Sequence, residues 1–342
     1  MKLPELKITA SDRIQKEEEF FSKRFILSYS GLNKLSYCPQ QFYDWYILQQ
    51  REMTFGKSMI DGKLIHCKLL NPQEFDNLFV VTPAALPSPA MVSVLNIVFN
   101  RCMGLYDDIL PDPTVYRTEF LEELALAPLY QSLKNDDGRM AKVADLKNVY
   151  YWIYLIESGK RDVISSEQLD EANLIVEKIT SNVPFMKIMG YYQEFEVTAE
   201  KHNEIMLYSF LDNRMFDIRG ILDNLVIDHT NKEIRINDLK KSGKDLLMFP
   251  SSIAYFRYDL QAAMYYTLVS RTFGAQFPDY KIVFRFMVID NNLQIAPVRI
   301  TEETMQIWLA GFETMLDECE YHFKERRFDL PYSVAINNEI VL

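Results

Sequence analysis

Apolar positions recur at spacings of three and four through most of the first half of the chain, and at spacings of two through much of the second. The first ~20 residues are polar and read as an arm, with a helical stretch at Gln15–Phe21. From Ser28 to about Ser181 the pattern predicts helices. Ser28 and Ser30 are candidate N-caps, and Pro39 suits the first turn of a helix running through Phe42, Trp45 and Tyr46. Gly56–Leu70 predicts a helix that stops before Asn71-Pro72, and the three prolines of Thr82–Pro89 predict a loop. Further helices are expected near Met91–Met103, Glu119–Leu133, Val143–Ile156 and Glu167–Ile179.

The pattern changes near Tyr191. Gln193–Val197 alternates polar and apolar, and Glu204–Leu211, Met215–Leu222, Asn224–Ile227 and Ile234–Leu239 are further strand candidates, with Asn231 as a turn residue. A helix is predicted over Ile253–Phe273, then a hairpin of Tyr280–Ile289 and Leu293–Val298 around Asn291-Asn292. A last helix starts after Thr301 and runs to about Phe323. A helical half followed by strands with a helix across them predicts an α/β fold with a mixed central sheet. The expected organisation is an arm (1–25), a helical part (26–190), a sheet-containing core (191–300) and a C-terminal helix and tail (301–342).

Composition narrows the function. The 342 residues suffice for one large domain or two modest ones. Lys plus Arg is 37 against 48 for Asp plus Glu, a net charge of −11. That excludes a general polyanion binder; nucleic acid would have to meet a local basic patch. No apolar run approaches the ~18–20 residues of a membrane span, and the acidic N-terminus has no apolar core of a signal peptide. Cys38, Cys67, Cys102 and Cys319 are scattered without a C-x-x-C pair, which argues against a zinc ribbon and for reduced thiols in a cytoplasmic setting.

The informative chemistry lies in Gly220-Ile-Leu-Asp223 and Asp238-Leu-Lys240. Asp223 and Asp238 are spaced as two strands joined by a turn would place them, and strand alternation puts Asp238 and Lys240 on one face. Two carboxylates and a lysine at one spot suit a Mg²⁺ ion beside an anionic substrate. D-x-K on an exposed strand also occurs as a solvated pair, so the argument depends on company. Arg257, Gln261 and Tyr265 share one face of the predicted helix. Glu194 and Glu196 share a face of the preceding strand, and either can complete a metal site. Gly62 and His66 place a histidine on a helix. Lys241, Lys244 and Arg257, with Lys34, Arg51, Lys57 and Lys63, are candidate DNA-binding cations, and Tyr29, Tyr37 and Phe55 candidate stacking aromatics.

The series Gly62/His66, Glu194 or Glu196, Gly220/Asp223, Asp238/Lys240 and Gln261/Tyr265, in this order, resembles the PD-(D/E)xK nuclease superfamily. More narrowly it is similar to the exonuclease VIII and RecB-type branch. Asp238-Leu-Lys-Lys-Ser-Gly, Phe249, Ile253 and Tyr258–Tyr265 carry the likeness most, and Ser28–Leu32 with Cys38–Phe42 add to it. The resemblance implies a restriction-endonuclease-like core and Mg²⁺-dependent phosphodiester hydrolysis, with Mn²⁺ able to substitute. It implies that Asp223, Asp238, the Leu239 carbonyl, a glutamate and His66 hold metal, that Lys240 acts on the attacking water, and that Gln261 and Tyr265 steady substrate and lysine. Some relatives carry a four-cysteine iron–sulfur cluster; here only Cys319 lies near the C-terminus, so no cluster is expected. Lys241 departs from the small residue usual after the motif lysine.

The expected function is a DNA exonuclease acting on linear duplex ends in phage or bacterial recombination. A single-strand annealing protein is a candidate partner, and a homo-oligomer is open. The alternatives are a structure-specific endonuclease on the same core and a non-catalytic DNA-binding assembly subunit.

Overall fold

The computed structural model describes residues 10–50, 57–191 and 199–339. The chain divides into two units, one of residues 1–55 with 177–342 and the other of residues 56–176. Eight strands are described: β1 (Phe25–Leu27), β2 (Phe79–Val81), β3 (Asp162–Ile164), β4 (Ala199–Ser209), β5 (Phe216–Asp228), β6 (Glu233–Ser242), β7 (Lys281–Asp290) and β8 (Ile295–Arg299).

Burial groups residues that the sequence separates. Leu32, Leu35 and Phe42 of the helical opening join Phe216 and Ile218 of the sheet in one core. Ser28 caps Tyr29–Tyr37 as expected, accepting from the Gly31 N–H, and Pro39 starts the next short helix.

The 56–176 unit is helical, with one short parallel pair, β2 with β3. Its core gathers Val94, Leu95 and Val98 of helix Pro89–Leu105 around Phe120 and Trp152. The Trp152 indole is buried and donates to the Leu110 carbonyl at 2.9 Å, so its one polar atom is satisfied.

The other unit holds a six-stranded mixed sheet in the order β1-β5-β6-β7-β8, with β4 also on β5. β1 is parallel to β5 and β6 to β7; the pairs β4–β5, β5–β6 and β7–β8 are antiparallel. Helix Tyr258–Phe273 packs Leu260, Ala263, Met264 and Leu268 against Leu222, Leu225, Ile236 and Phe284, and helix Glu302–Glu325 extends this core with Phe312, Leu316 and Phe323. Asn224 and Asn237, whose positions alternate with these, reach carbonyls at the end of helix Val183–Ile188.

Two departures from expectation bear on function. Met215–Leu222 and Asn224–Ile227 are one continuous strand, β5. The helix expected over Ile253–Phe273 is two helices, Phe249–Phe256 and Tyr258–Phe273, separated by Arg257 in the left-handed conformation (φ 57°). Arg257 therefore does not share a helix face with Gln261 and Tyr265. No glycine or proline marks this break. It is held by tertiary hydrogen bonds: the Phe256 carbonyl accepts from Tyr29 Oη at 2.5 Å and Asn33 Nδ2 at 3.5 Å.

Candidate active site

The β5–β6 ladder covers Asn224–Asp228 against Glu233–Asn237 and ends there. The next rung would set Asp223 opposite Asp238, and at that rung the strands part. β6 stays with β7 through the pairs Asp238–Phe286 to Ser242–Asp290, while β5 stays with β4. Asp223 bridges the fork. Its Oδ2 accepts the Leu239 backbone N–H at 2.7 Å, replacing the carbonyl that a continued ladder would have supplied.

The same rung extends to β4. Pairing there runs from Ala199–Asp228 to Ser209–Ile218, interrupted between Asn203–Asn224 and Ile205–Leu222. The position in the gap, opposite Asp223, is Glu204. Its φ is 51°, a left-handed conformation that costs a non-glycine residue on the order of 1–3 kcal/mol. Carboxylate oxygens of Glu204 and Asp223 lie within 4.8 Å of each other. The interruption also changes the phase of β5: Phe216, Ile218 and Leu222 reach the core before it, and Leu225 and Ile227 after it. Such a kink re-aims side chains. Here it lets Asp223 face the same side as Leu222, so Glu204, Asp223 and Asp238 hold corresponding register positions on three neighbouring strands, with the β4–β5 and β5–β6 pairing interrupted there.

Asp238 is 1% exposed. Lys240 Nζ lies 2.5 Å from its Oδ2, as strand alternation requires, and Gln261 Nε2 donates to its Oδ1 at 3.1 Å. Gln261 Nε2 also lies 3.2 Å from Tyr265 Oη, and the Lys240 ammonium sits 4.8 Å above the Tyr258 ring. Burial pushes the Lys240 pKa down, but the charges of Asp238 and Asp223 outweigh it and the net direction is up. Lys240 is therefore an ammonium. Burial, together with the same two carboxylates, raises the Tyr265 phenol.

Gly220 has a steric role. A Cβ there would lie 2.6 Å from Tyr265 Cε1 and 3.0 Å from Leu268 Cδ1. Glycine lets helix Tyr258–Phe273 approach β5, which seats Tyr265 and Gln261 beside the carboxylates.

The charges of Asp238 and Asp223 both act on the Lys240 ammonium, and Glu204 adds a third carboxylate beside Asp223. The carboxylate oxygens of Glu204 and Asp223, with the low exposure of Asp223 and Asp238, fit a hard divalent cation such as Mg²⁺ or Mn²⁺.

The structure thus brings together Asp223, Asp238, Lys240, Gln261 and Tyr265. Leu239 contributes its N–H to Asp223. Glu194 and Glu196 lie outside the described residues, as do Arg51 and Phe55. His66 lies on helix Lys57–Leu70 of the 56–176 unit. Lys241 follows Lys240 on β6, and Lys244 Nζ donates to Ser251 Oγ at 3.0 Å. Lys34 is not a solvent-facing cation: it is buried, 3.6 Å over the Trp45 ring, and hydrogen-bonded to Gln41 at 3.1 Å. Lys63 is ion-paired with Asp162 at 2.7 Å. Sequence reasoning missed Glu204. Its signal was positional: it opens a predicted strand two phases before the glycine-to-aspartate segment, and only the register sets it opposite Asp223.

Comparison with known proteins adds little. No family model matches the chain, and no curated protein matches it. Among solved structures, a protein described as "Putative exonuclease" from Eubacterium rectale is 13% identical with a TM-score of 0.47, over 100% of this chain and 95% of that one. SSO0001 is 12% identical with a TM-score of 0.22, over 73% of this chain and 96% of that one. At these values neither likeness establishes a shared fold. Among the described residues no helix is long and apolar enough to cross a membrane.

Proposed function

We propose that this protein is a divalent-metal-dependent deoxyribonuclease that hydrolyses phosphodiester bonds, an exonuclease on linear duplex ends. The observation that carries the reading is the rung Glu204–Asp223–Asp238 with Lys240 at 2.5 Å from Asp238. A structural ion pair would need one carboxylate for one lysine; the extra acids are explained by a cation and an anionic substrate.

Glu204, Asp223 and Asp238 are the residues that would hold Mg²⁺. When bound, the ion supplies charge neutralisation and a more acidic water. Lys240, hydrogen-bonded to Asp238, serves as a cation for the pentacoordinate phosphorus of the transition state and as an orienting donor for water. Gln261 fixes the Asp238 carboxylate, and Tyr265 in turn holds Gln261. This supporting layer keeps Asp238 in one rotamer while substrate enters. Lys241, Lys244 and Arg257 are the proposed contacts to the DNA backbone, and a role in phage or bacterial recombination belongs to the same reading.

The test uses linear and covalently closed circular duplex DNA, with Mg²⁺ or chelator, beside Lys240→Ala. Metal-dependent loss of the linear form alone, reduced at least about a hundredfold in the variant, is expected. Cutting of the circle would instead mark an endonuclease. Binding without cutting of either form would mark an assembly subunit.

A further inference from the structure

We propose that Tyr255 and Phe256 form a stacking step for the bases of an unpaired DNA strand, leading from solvent to Lys240. The proposal rests on the nuclease reading and adds the form in which the strand is taken. Four groups make a continuous path. Lys240 Nζ lies 4.8 Å from the Tyr258 ring. Tyr258 stacks on Phe256 at 5.4 Å and 26°, and Phe256 meets Tyr255 edge to face at 4.8 Å. Tyr255 is 77% exposed and Phe256 about half exposed.

The left-handed Arg257 breaks the helix after these two rings, and Tyr29 and Asn33 hold that break through the Phe256 carbonyl. Phe249, at the other end of the same helix, is buried 5.5 Å from Phe286 and anchors it to the sheet. The step is therefore fixed before any ligand arrives, which lowers the ordering cost of binding.

Neighbouring groups select the occupant. Lys244 bonds Ser251, one helical turn before Tyr255, Arg257 follows Phe256 directly and lies 3.6 Å from Asp259, and Leu247, 94% exposed, precedes the same helix. Aromatic faces interleaved with cations match a chain of bases on phosphates better than an apolar protein helix. In duplex DNA base faces are covered by their neighbours. Only a single strand or a frayed end offers a face to Tyr255.

The test is binding of a short oligothymidylate carrying one 2-aminopurine, in chelator so that no cleavage occurs. Wild type is expected to quench the 2-aminopurine. Tyr255→Ala should weaken binding about tenfold and abolish the quench, and Tyr255→Phe should restore both. The exposed position predicts unchanged thermal melting for these variants. Wild-type affinity and quench in both Tyr255→Ala and Phe256→Ala would overturn the step. So would failure of wild type to bind, or self-association that Tyr255→Ala removes, which would make the rings an interface between copies. Quenching without metal-dependent hydrolysis would keep the step and sink the nuclease reading; hydrolysis with no effect of Tyr255→Ala would do the reverse.

Discussion

Two neighbouring rungs of the sheet differ in a way that separates structure from function. One residue along from Glu204, Asp223 and Asp238, the same three strands carry Asn203, Asn224 and Asn237. The asparagines are paired in regular register and bonded to one another, Asn237 to Asn224 at 2.7 Å and Asn224 to Asn203 at 2.9 Å. They reach further to the Ile188 and Met189 carbonyls and to Tyr191 Oη. That row is neutral and ties the sheet to the chain covering it. The carboxylate row is charged, sits where two ladders are interrupted, and includes a residue in left-handed backbone. Neutral amides would have served for tying strands together. The acids and the kink are retained where an external cation would neutralise them.

The contrast breaks most sharply at Asp238. Asp238→Ala leaves the Lys240 ammonium in a nearly closed site without its carboxylate, so urea unfolding should show a loss of about 3–5 kcal/mol along with loss of hydrolysis. Asn224→Ala attacks the other row. It strands the buried amides of its neighbours and should cost about 1–3 kcal/mol, while Mg²⁺ affinity stays at the wild-type level. Equal effects of the two variants on metal binding would dissolve the distinction between the rows. Gly220→Ala drives a methyl into the Tyr265 ring and should destabilise by about 1–3 kcal/mol. Combined with Tyr265→Leu the two losses should be clearly non-additive in a double-mutant cycle. The smallest effect has the opposite sign. Glu204→Gly relieves the left-handed backbone, so the metal-free protein should gain on the order of 1 kcal/mol in thermal unfolding while its Mg²⁺ affinity falls.

Much of this was legible in the sequence. The shared face of Asp238 and Lys240 follows from strand alternation, and Ser28, Pro39 and Thr301 mark helix starts where the structure has them. The gap between Met215–Leu222 and Asn224–Ile227 was also a real signal, though of another kind: the hydrophobic phase slips at Asp223 while the strand continues. Two features were not legible because they are tertiary. Glu204 joins the row only through β4–β5 register, and the break at Arg257 is accompanied by Tyr29 and Asn33 donating to the preceding carbonyl. Local propensity carries neither.

The most direct test of the central claim is calorimetric titration of Mg²⁺ and Mn²⁺ into wild type and Asp223→Asn, a change that keeps shape and removes one charge from the row. Saturable binding by wild type, lost in the variant with the fold retained, is expected. Equal binding by both proteins, or none by wild type, would contradict the claim.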